Sequence, residues 1–486
     1  MRGDTDLDLL IAPGDWPKLE AAALAAGFVE ARTRDGLAQR AARYFVGLRA
    51  DDAALVHFDV VDAVVTGGHL WKSHRLPFDD ALRDHGSSIN GIPIAARHVE
   101  LAVLVVRRAL ETLSLLEFLL AIRSREDTVR EVNELADSPE TLEQAIDLAL
   151  QLAPTGNRGS FVEFVDCLRT GSALRLLLAG RRLGKHFEAF RVVRQPRLGA
   201  LRSMELGRKL WARARGTGQG WSTQAPTPII AFVGPKAVGK STLIRASRRL
   251  LGRFYRVETV HLGRPRATAL TWFRHPLRFI MSALLPRGRK RALTALPKEQ
   301  LLRDGFLTRL AFATQALLLA VEKRAAVRRC RRLASGGIVV ITDRYPVGAI
   351  DGKRLDVWAL DKGSSSWMRL AARLEERLFA SIAPPDVVVR LTIDEEEAVR
   401  RNAARLQDKG RIDAEGTIRA RHAEALPDFP APTLVVDVDT SGSIDETVKA
   451  SHRAVWSAVV TRERWHRWRG SMPENATEYG ESAGSA

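Results

Sequence analysis

Cysteine is almost missing from this chain: Cys167 and Cys330 are the only two in 486 residues. Two thiols that far apart supply neither a disulfide framework nor a thiolate metal motif, and a reducing cytoplasm is the expected setting. Long apolar runs are also missing. The longest, Leu113 to Ile122 and Leu310 to Val321, fall short of the roughly 18 to 20 residues of a membrane-spanning helix, and each reads as a buried helix. The start, Met1-Arg2-Gly3-Asp4, carries an acid where a secretory leader needs a basic and then an apolar run. No internal repeat is visible. Acidic residues are in deficit: 57 Asp and Glu face 75 Lys and Arg, a formal net charge of +18. That imbalance favours phosphate-bearing partners: nucleotide, nucleic acid or an anionic membrane surface.

What is present is ordinary for a globular protein. Hydrophobic residues make up 45% and charged residues 27%, which excludes disordered, collagenous and multispanning classes. The length suits two to four domains of about 100 to 200 residues. Residues 1–95 mix short strand patterns, Leu7 to Ile11 and Leu55 to Val61, with turns, and predict a small α+β unit. Residues 96–213 are helical in pattern, with apolar positions three or four apart in Leu101 to Ile122 and Thr141 to Leu152. Ser138-Pro139 supplies a cap and a first-turn proline for the second of these. Residues 214–226 have linker composition, and residues 471–486 a polar tail. Between them, over 227–470, apolar runs at Ile229 to Val233, Val257 to Leu262, Ile338 to Ile341, Val387 to Ile393 and Leu434 to Val438 alternate with helical patterns. Such alternation predicts an α/β fold with a parallel sheet and flanking helices.

Gly234-Pro235-Lys236-Ala237-Val238-Gly239-Lys240-Ser241-Thr242 matches the Walker A pattern at every fixed position. A strand pattern ends at Val233 and a helical one begins at Ser241, the context the motif requires. Its glycines let backbone N–H groups turn inward, and the following helix adds the positive end of its dipole. Lys240 is then expected against the β and γ phosphates and the Ser241 hydroxyl on Mg²⁺. Ile338 to Ile341 runs into Thr342-Asp343-Arg344-Tyr345. There Asp343 suits the Mg²⁺ shell or a substrate hydroxyl, and Arg344 a phosphoryl group. A third piece opens at Pro384-Pro385-Asp386, runs through a strand and enters a helix with Asp394 as cap and Glu397 three residues on. Arg401 and Arg405, four apart, share a face of that helix. They suit a basic clamp over transferring phosphates, and equally a solvated face with cations near the helix end.

These pieces, in this order, resemble the thymidylate kinase family of P-loop proteins. The resemblance runs over residues 227 to 465 and includes the final strand, Thr433-Leu434-Val435-Val436-Asp437-Val438-Asp439-Thr440. It implies ATP and Mg²⁺ as cofactors, a lid helix bearing Arg401 and Arg405, and an anionic acceptor held by Arg264 and Arg344. The chain departs from the family in His261-Leu262-Gly263-Arg264-Pro265, where the family has Arg-Glu-Pro, so Arg264 carries over and the glutamate does not. The residues that frame thymine do not follow Tyr345.

Between Arg245 and Arg332 there are 22 Lys and Arg against 4 Asp and Glu, so an excess equal to that of the whole chain is local to this segment. It includes an insertion over residues 271–291, aromatic and aliphatic residues followed by Arg287-Gly288-Arg289-Lys290-Arg291. That pattern fits an anionic membrane surface, a cover over a polyanionic acceptor, or a packed helix with a solvated basic edge. No nucleic-acid-binding module accompanies it. Near the start, Asp6-Leu7-Asp8 with His57-Phe58-Asp59 resembles the minimal nucleotidyltransferase fold, which implies Asp6, Asp8 and Asp59 as Mg²⁺ ligands. That family's Gly-Ser turn would lie upstream of Met1, so a mis-assigned start or a degenerate unit is expected. The sequence as a whole predicts an ATP-dependent small-molecule kinase. The rival expectation is a non-catalytic nucleotide-binding switch or membrane-associated scaffold.

Overall fold

The computed structural model describes residues 7–32, 42–67, 72–193, 195–214, 221–223, 225–235, 237–263, 306–346, 365–404, 419, 429 and 433–470. Asp6, Lys236, Arg264, Arg405 and the basic insertion 271–291 lie outside the described residues. The chain divides into two compact units. The first comprises residues 1–23, 32–45 and 57–219; the second comprises residues 24–31, 46–56 and 220–486.

In the first unit β1 (Leu7–Leu10) pairs in parallel with the end of β4 (Leu55–Val61), which sets Asp8 directly beside Asp59. The unit's larger part is helical. Seven helices follow one another: Arg97–Glu111, Leu115–Ala121, Arg125–Leu135, Pro139–Leu152, Arg158–Thr170, Ala173–Lys185 and Gln195–Ala214. Arg97–Glu111 buries Leu101, Val105 and Ala109 on one face and Ala102, Val106 and Leu110 beside it, so it runs through the middle of the core. The run Leu113 to Ile122 differs from its expected wholly buried state. Its helix buries Phe118 and Glu117 while Leu115 and Leu119 are exposed. Glu117 is held there by Arg202 at 3.1 Å.

The second unit contains a five-stranded, all-parallel sheet. Its strands are β10 (Ile229–Val233), β11 (Val257–His261), β12 (Val339–Asp343), β13 (Val387–Thr392) and β14 (Leu434–Asp439), in the order β11-β12-β10-β13-β14. Every residue of β10 is buried, as its unbroken apolar sequence requires of a central strand covered on both faces. The helix Lys240–Leu251 buries Leu243, Ser247 and Leu251, four apart, and Ser247 Oγ meets Ser451 Oγ of the final helix Ile444–Gly470 at 3.3 Å. The long helix Phe306–Ser335 packs Phe312 and Ala313 against Met368, Ala371 and Ala372 of Ser366–Ala380. It also packs Val327, Cys330 and Ala334 against the sheet core.

The divide after Gln219 falls within the linker-like stretch 214–226. Two short segments before it, residues 24–31 and 46–56, nevertheless belong to the second unit, contrary to an N-terminal unit spanning 1–95 without interruption. The final helix explains this: Trp456 Nε1 donates to Gly27 O at 2.9 Å, Arg464 to Leu24 O at 3.0 Å and Arg453 to Ala50 O at 3.0 Å.

Candidate functional site

The phosphate loop leaves the carboxyl end of the central strand. Gly234 has φ +156°, and a Cβ there would lie 2.6 Å from the Leu391 carbonyl oxygen of the neighbouring strand, so only glycine fits. Ala237 (φ +66°) and Gly239 (φ +90°) are left-handed as well, so the described backbone turns on itself before the helix starts at Lys240. Left-handed alanine costs of order 1 kcal/mol, and such strain collects at ligand-binding loops. Lys240 Nζ donates to Gly234 O at 2.8 Å and Pro235 O at 2.5 Å, which folds its ammonium over the loop's own concavity. The Ser241 and Thr242 side chains at the helix start are exposed.

Beside the loop stand the carboxyl ends of β11 and β12. Register pairs His261 with Asp343, and Phe232 with Asp343, so three adjacent strands end within a residue of one another at one end of the sheet. His261 Nδ1 lies 2.9 Å from Asp343 Oδ2. A carboxylate only accepts, so Nδ1 carries the hydrogen and Nε2 is left as the acceptor of the neutral ring. The other carboxylate oxygen, Asp343 Oδ1, is buried with no hydrogen-bond partner among the described residues. Arg344 follows in the left-handed region at φ +56°. A Cβ on Gly263 would meet its Cδ at 2.7 Å and His261 Nε2 at 3.1 Å, so the bare Cα of Gly263 admits both side chains.

Gly234, Pro235, Ala237, Val238, Gly239, Lys240, Ser241 and Thr242 thus form one loop-and-helix start, with Asp343 and Arg344 at the next strand end. Arg401, expected in a clamp, is committed elsewhere. Its Nε donates to Glu397 at 2.7 Å and its Nη2 to Thr440 O at 2.7 Å and Gly442 O at 3.3 Å, which fastens the helix Glu395–Ala404 to the turn after β14. Sequence reasoning passed over His261 and Gly263. Their signal was available, because both stand where a second parallel strand ends.

Mg²⁺ is a hard cation that keeps several waters and takes few protein oxygens beside phosphate. The exposed Ser241 hydroxyl at the helix start and Asp343 Oδ1 at the neighbouring strand end, unpartnered among the described residues, are oxygens of the kind that demand calls for. In the first unit, Asp8 and Asp59 are neighbours, and His57 Nε2 is 3.9 Å from Asp59 Oδ1. Burial pushes the Tyr44 hydroxyl up to about 12, helped by Asp59 and Asp8. Burial pulls the Lys72 ammonium down, and so does Arg107, against the opposing pull of Asp8 and Asp59. Among the described residues no cluster of three or more His, Cys, Asp and Glu could hold a metal.

A parallel five-stranded sheet flanked by helices, with this loop after its central strand, defines an α/β P-loop-like fold. No family model matches the chain. The chain is 25% identical over 260 residues to "Uncharacterized ATP-binding protein YghR" of Escherichia coli strain K12, which covers 50% of this chain and 94% of that protein. The same figures hold for the protein of that name in E. coli O6:H1. Among the described residues no helix is long and apolar enough to cross a membrane.

Proposed function

We propose that the second unit binds ATP with Mg²⁺ and transfers the γ-phosphoryl group to a small acceptor with an anionic group, as thymidylate kinase-like enzymes do. The observation that carries this reading is the meeting of the phosphate loop with Asp343, whose buried Oδ1 lacks a partner among the described residues, at one end of the parallel sheet. Ligands of open parallel sheets collect at that end. The printed name of the E. coli relative supports ATP as the nucleotide. In this reading the loop's N–H groups and Lys240 cradle the β and γ phosphates, and Lys240 exchanges its two loop carbonyls for phosphate oxygens. Ser241 and Asp343 hold the metal, which when bound offsets charge on the phosphate oxygens. Arg344 offers its guanidinium fork to the acceptor's anionic group, with Arg264 as its proposed companion. Asp343 also fixes the His261 ring by accepting from Nδ1, leaving Nε2 to accept from an acceptor hydroxyl.

The test is ADP release from ATP and Mg²⁺ across nucleoside monophosphates, sugar phosphates and phosphorylated lipid precursors. One acceptor is expected to raise turnover, and Lys240→Ala to lower that turnover at least a hundredfold at an unchanged melting temperature, about 3 kcal/mol of lost transition-state contact. ATP binding without turnover for any acceptor would establish the rival, non-catalytic reading.

A further inference from the structure

The opposite end of the same sheet carries a second concentration of positive charge. A groove of about 610 Å³ is lined by Arg324, Arg328, Arg331 and Arg332 of the helix Phe306–Ser335, and by Ser381, Ile382 and Ala383 before β13. Its lining residues precede β12 and β13, so it opens at the amino ends of the strands, whereas the phosphate loop follows a carboxyl end. A five-residue strand puts about 16 Å between those ends. We infer that this groove is a second anion site, separate from the phosphate loop, that takes a small ligand carrying two or more phosphate groups.

Three observations support it. Arg324, Arg328 and Arg331 recur at helical spacing on one face, and with Arg332 they spread their charges along about 12 Å of helix, further than one phosphate reaches. The groove's positive charge is mostly uncompensated. Arg328 and Arg332 are exposed and have no acidic partner among the described residues, whereas Arg331 is partly engaged, its Nη2 donating to the Pro384 carbonyl. The nearby carboxylate, Asp386, lies 3.6 Å from Arg331 and is shared with Arg462 at 3.8 Å and the Ile229 N–H at 2.9 Å. Arg329, by contrast, finds Glu258 at 3.7 Å. Arginines four apart repel one another on a helix, and a bound polyanion removes that repulsion through guanidinium forks matched to phosphate oxygens. Shape and lining then select the ligand. The volume falls within the roughly 300 to 1,000 Å³ of small-molecule sites. Among the described residues no aromatic side chain lines the groove, so they offer no stacking platform of the kind single-stranded nucleic acid uses. A concave site also suits a small ligand better than a flat membrane surface.

The experiment titrates tripolyphosphate calorimetrically into full-length protein carrying Lys240→Ala, with and without the added pair Arg328→Gln and Arg332→Gln. Comparison within one background isolates the groove from the phosphate loop. The added pair is expected to weaken tripolyphosphate binding at least tenfold. Its melting temperature should equal or exceed that of the Lys240→Ala protein, since glutamine keeps the helix and removes like-charge neighbours. Binding should also fall steeply between about 50 and 200 mM salt. Equal affinity with and without the added pair overturns the inference. So does an unchanged tripolyphosphate affinity alongside lost retention on phosphatidylserine vesicles or a single-stranded oligonucleotide, which would make the face a membrane or nucleic-acid surface. Because each outcome is read without phosphoryl transfer, it stands apart from the success or failure of the kinase reading.

Discussion

His74 shows how one side chain sets a response to acid. Its imidazole is buried, with Nδ1 3.0 Å from Ser73 Oγ and Nε2 without a hydrogen-bond partner among the described residues. Burial first, then Arg191 and Arg202, lower its pKa to about 4. The ring therefore stays neutral in the folded protein while the unfolded chain takes up a proton below about 6.5. The stability it allows is complete above that value and declines as pH falls towards 4, reaching a loss of about 2.5 kcal/mol near pH 4.5. Thermal melts of parent and His74→Gln between pH 7.5 and 4.5 check this: the parent should lose its midpoint more steeply, and parallel curves would reject the assignment. Gly263 makes a second prediction at this scale. An alanine methyl would press on the Arg344 side chain and the His261 ring, both able to shift. Gly263→Ala should therefore melt within about 2 °C of the parent yet lower acceptor-dependent turnover about tenfold, as displaced reacting groups do. The phosphate loop was legible because its residues are consecutive and its turns need glycine. The His261–Asp343 pair spans 82 positions. Only the register of two parallel strands brings it together, so residue spacing could not show it.

Elements follow their sequence most closely where a local signal and the packing demand agree. Ser138-Pro139 reads as a helix start, and Ser138 Oγ accepts from Thr141 N at 3.2 Å with proline in the first turn of Pro139–Leu152. Ser138→Ala should cost about 1 kcal/mol in denaturant melts, and Ser138→Asp should restore most of it, since aspartate caps equally well. The strands of the parallel sheet were legible for the same reason: β10 is a continuous apolar run, as a strand covered on both faces must be, and β13 opens on three buried valines, Val387, Val388 and Val389. The reading failed at Leu113 to Ile122, where apolar content alone suggested full burial. There Glu117 turns inward to Arg202, 85 residues later in the chain, and the leucines at 115 and 119 turn outward. Nothing near residue 117 announces so distant a partner. Arg401 shows the same limit, since its helix face was legible but its tie to the carbonyls of Thr440 and Gly442 was not.

At the scale of the whole molecule, the linker composition at 214–226 invites a cut that would separate a P-loop domain from what precedes it. The second unit, however, includes residues 24–31 and 46–56, and a protein beginning at Gly220 would lack them. Trp456 is buried, stacks obliquely on Tyr255 with ring centroids 6.3 Å apart, and gives its indole hydrogen to Gly27. Without that acceptor, an otherwise buried N–H is left unpaired, at a cost of about 1 to 3 kcal/mol. Arg453 and Arg464 lose their backbone acceptors as well, and Glu30, 3.7 Å from Arg467, is gone. Loss of these contacts together should lower the thermal midpoint of the 220–486 fragment by about 10 °C or more relative to the same unit in the full chain. Hydrogen exchange should locate the weakening in the final helix, Ile444–Gly470, and leave the central strand β10 better protected. Adding residues 1–56 as a separate chain should recover part of the lost midpoint. A 220–486 fragment that melts with the full protein and protects its final helix equally would show that the linker, and not the early segments, marks where this fold divides.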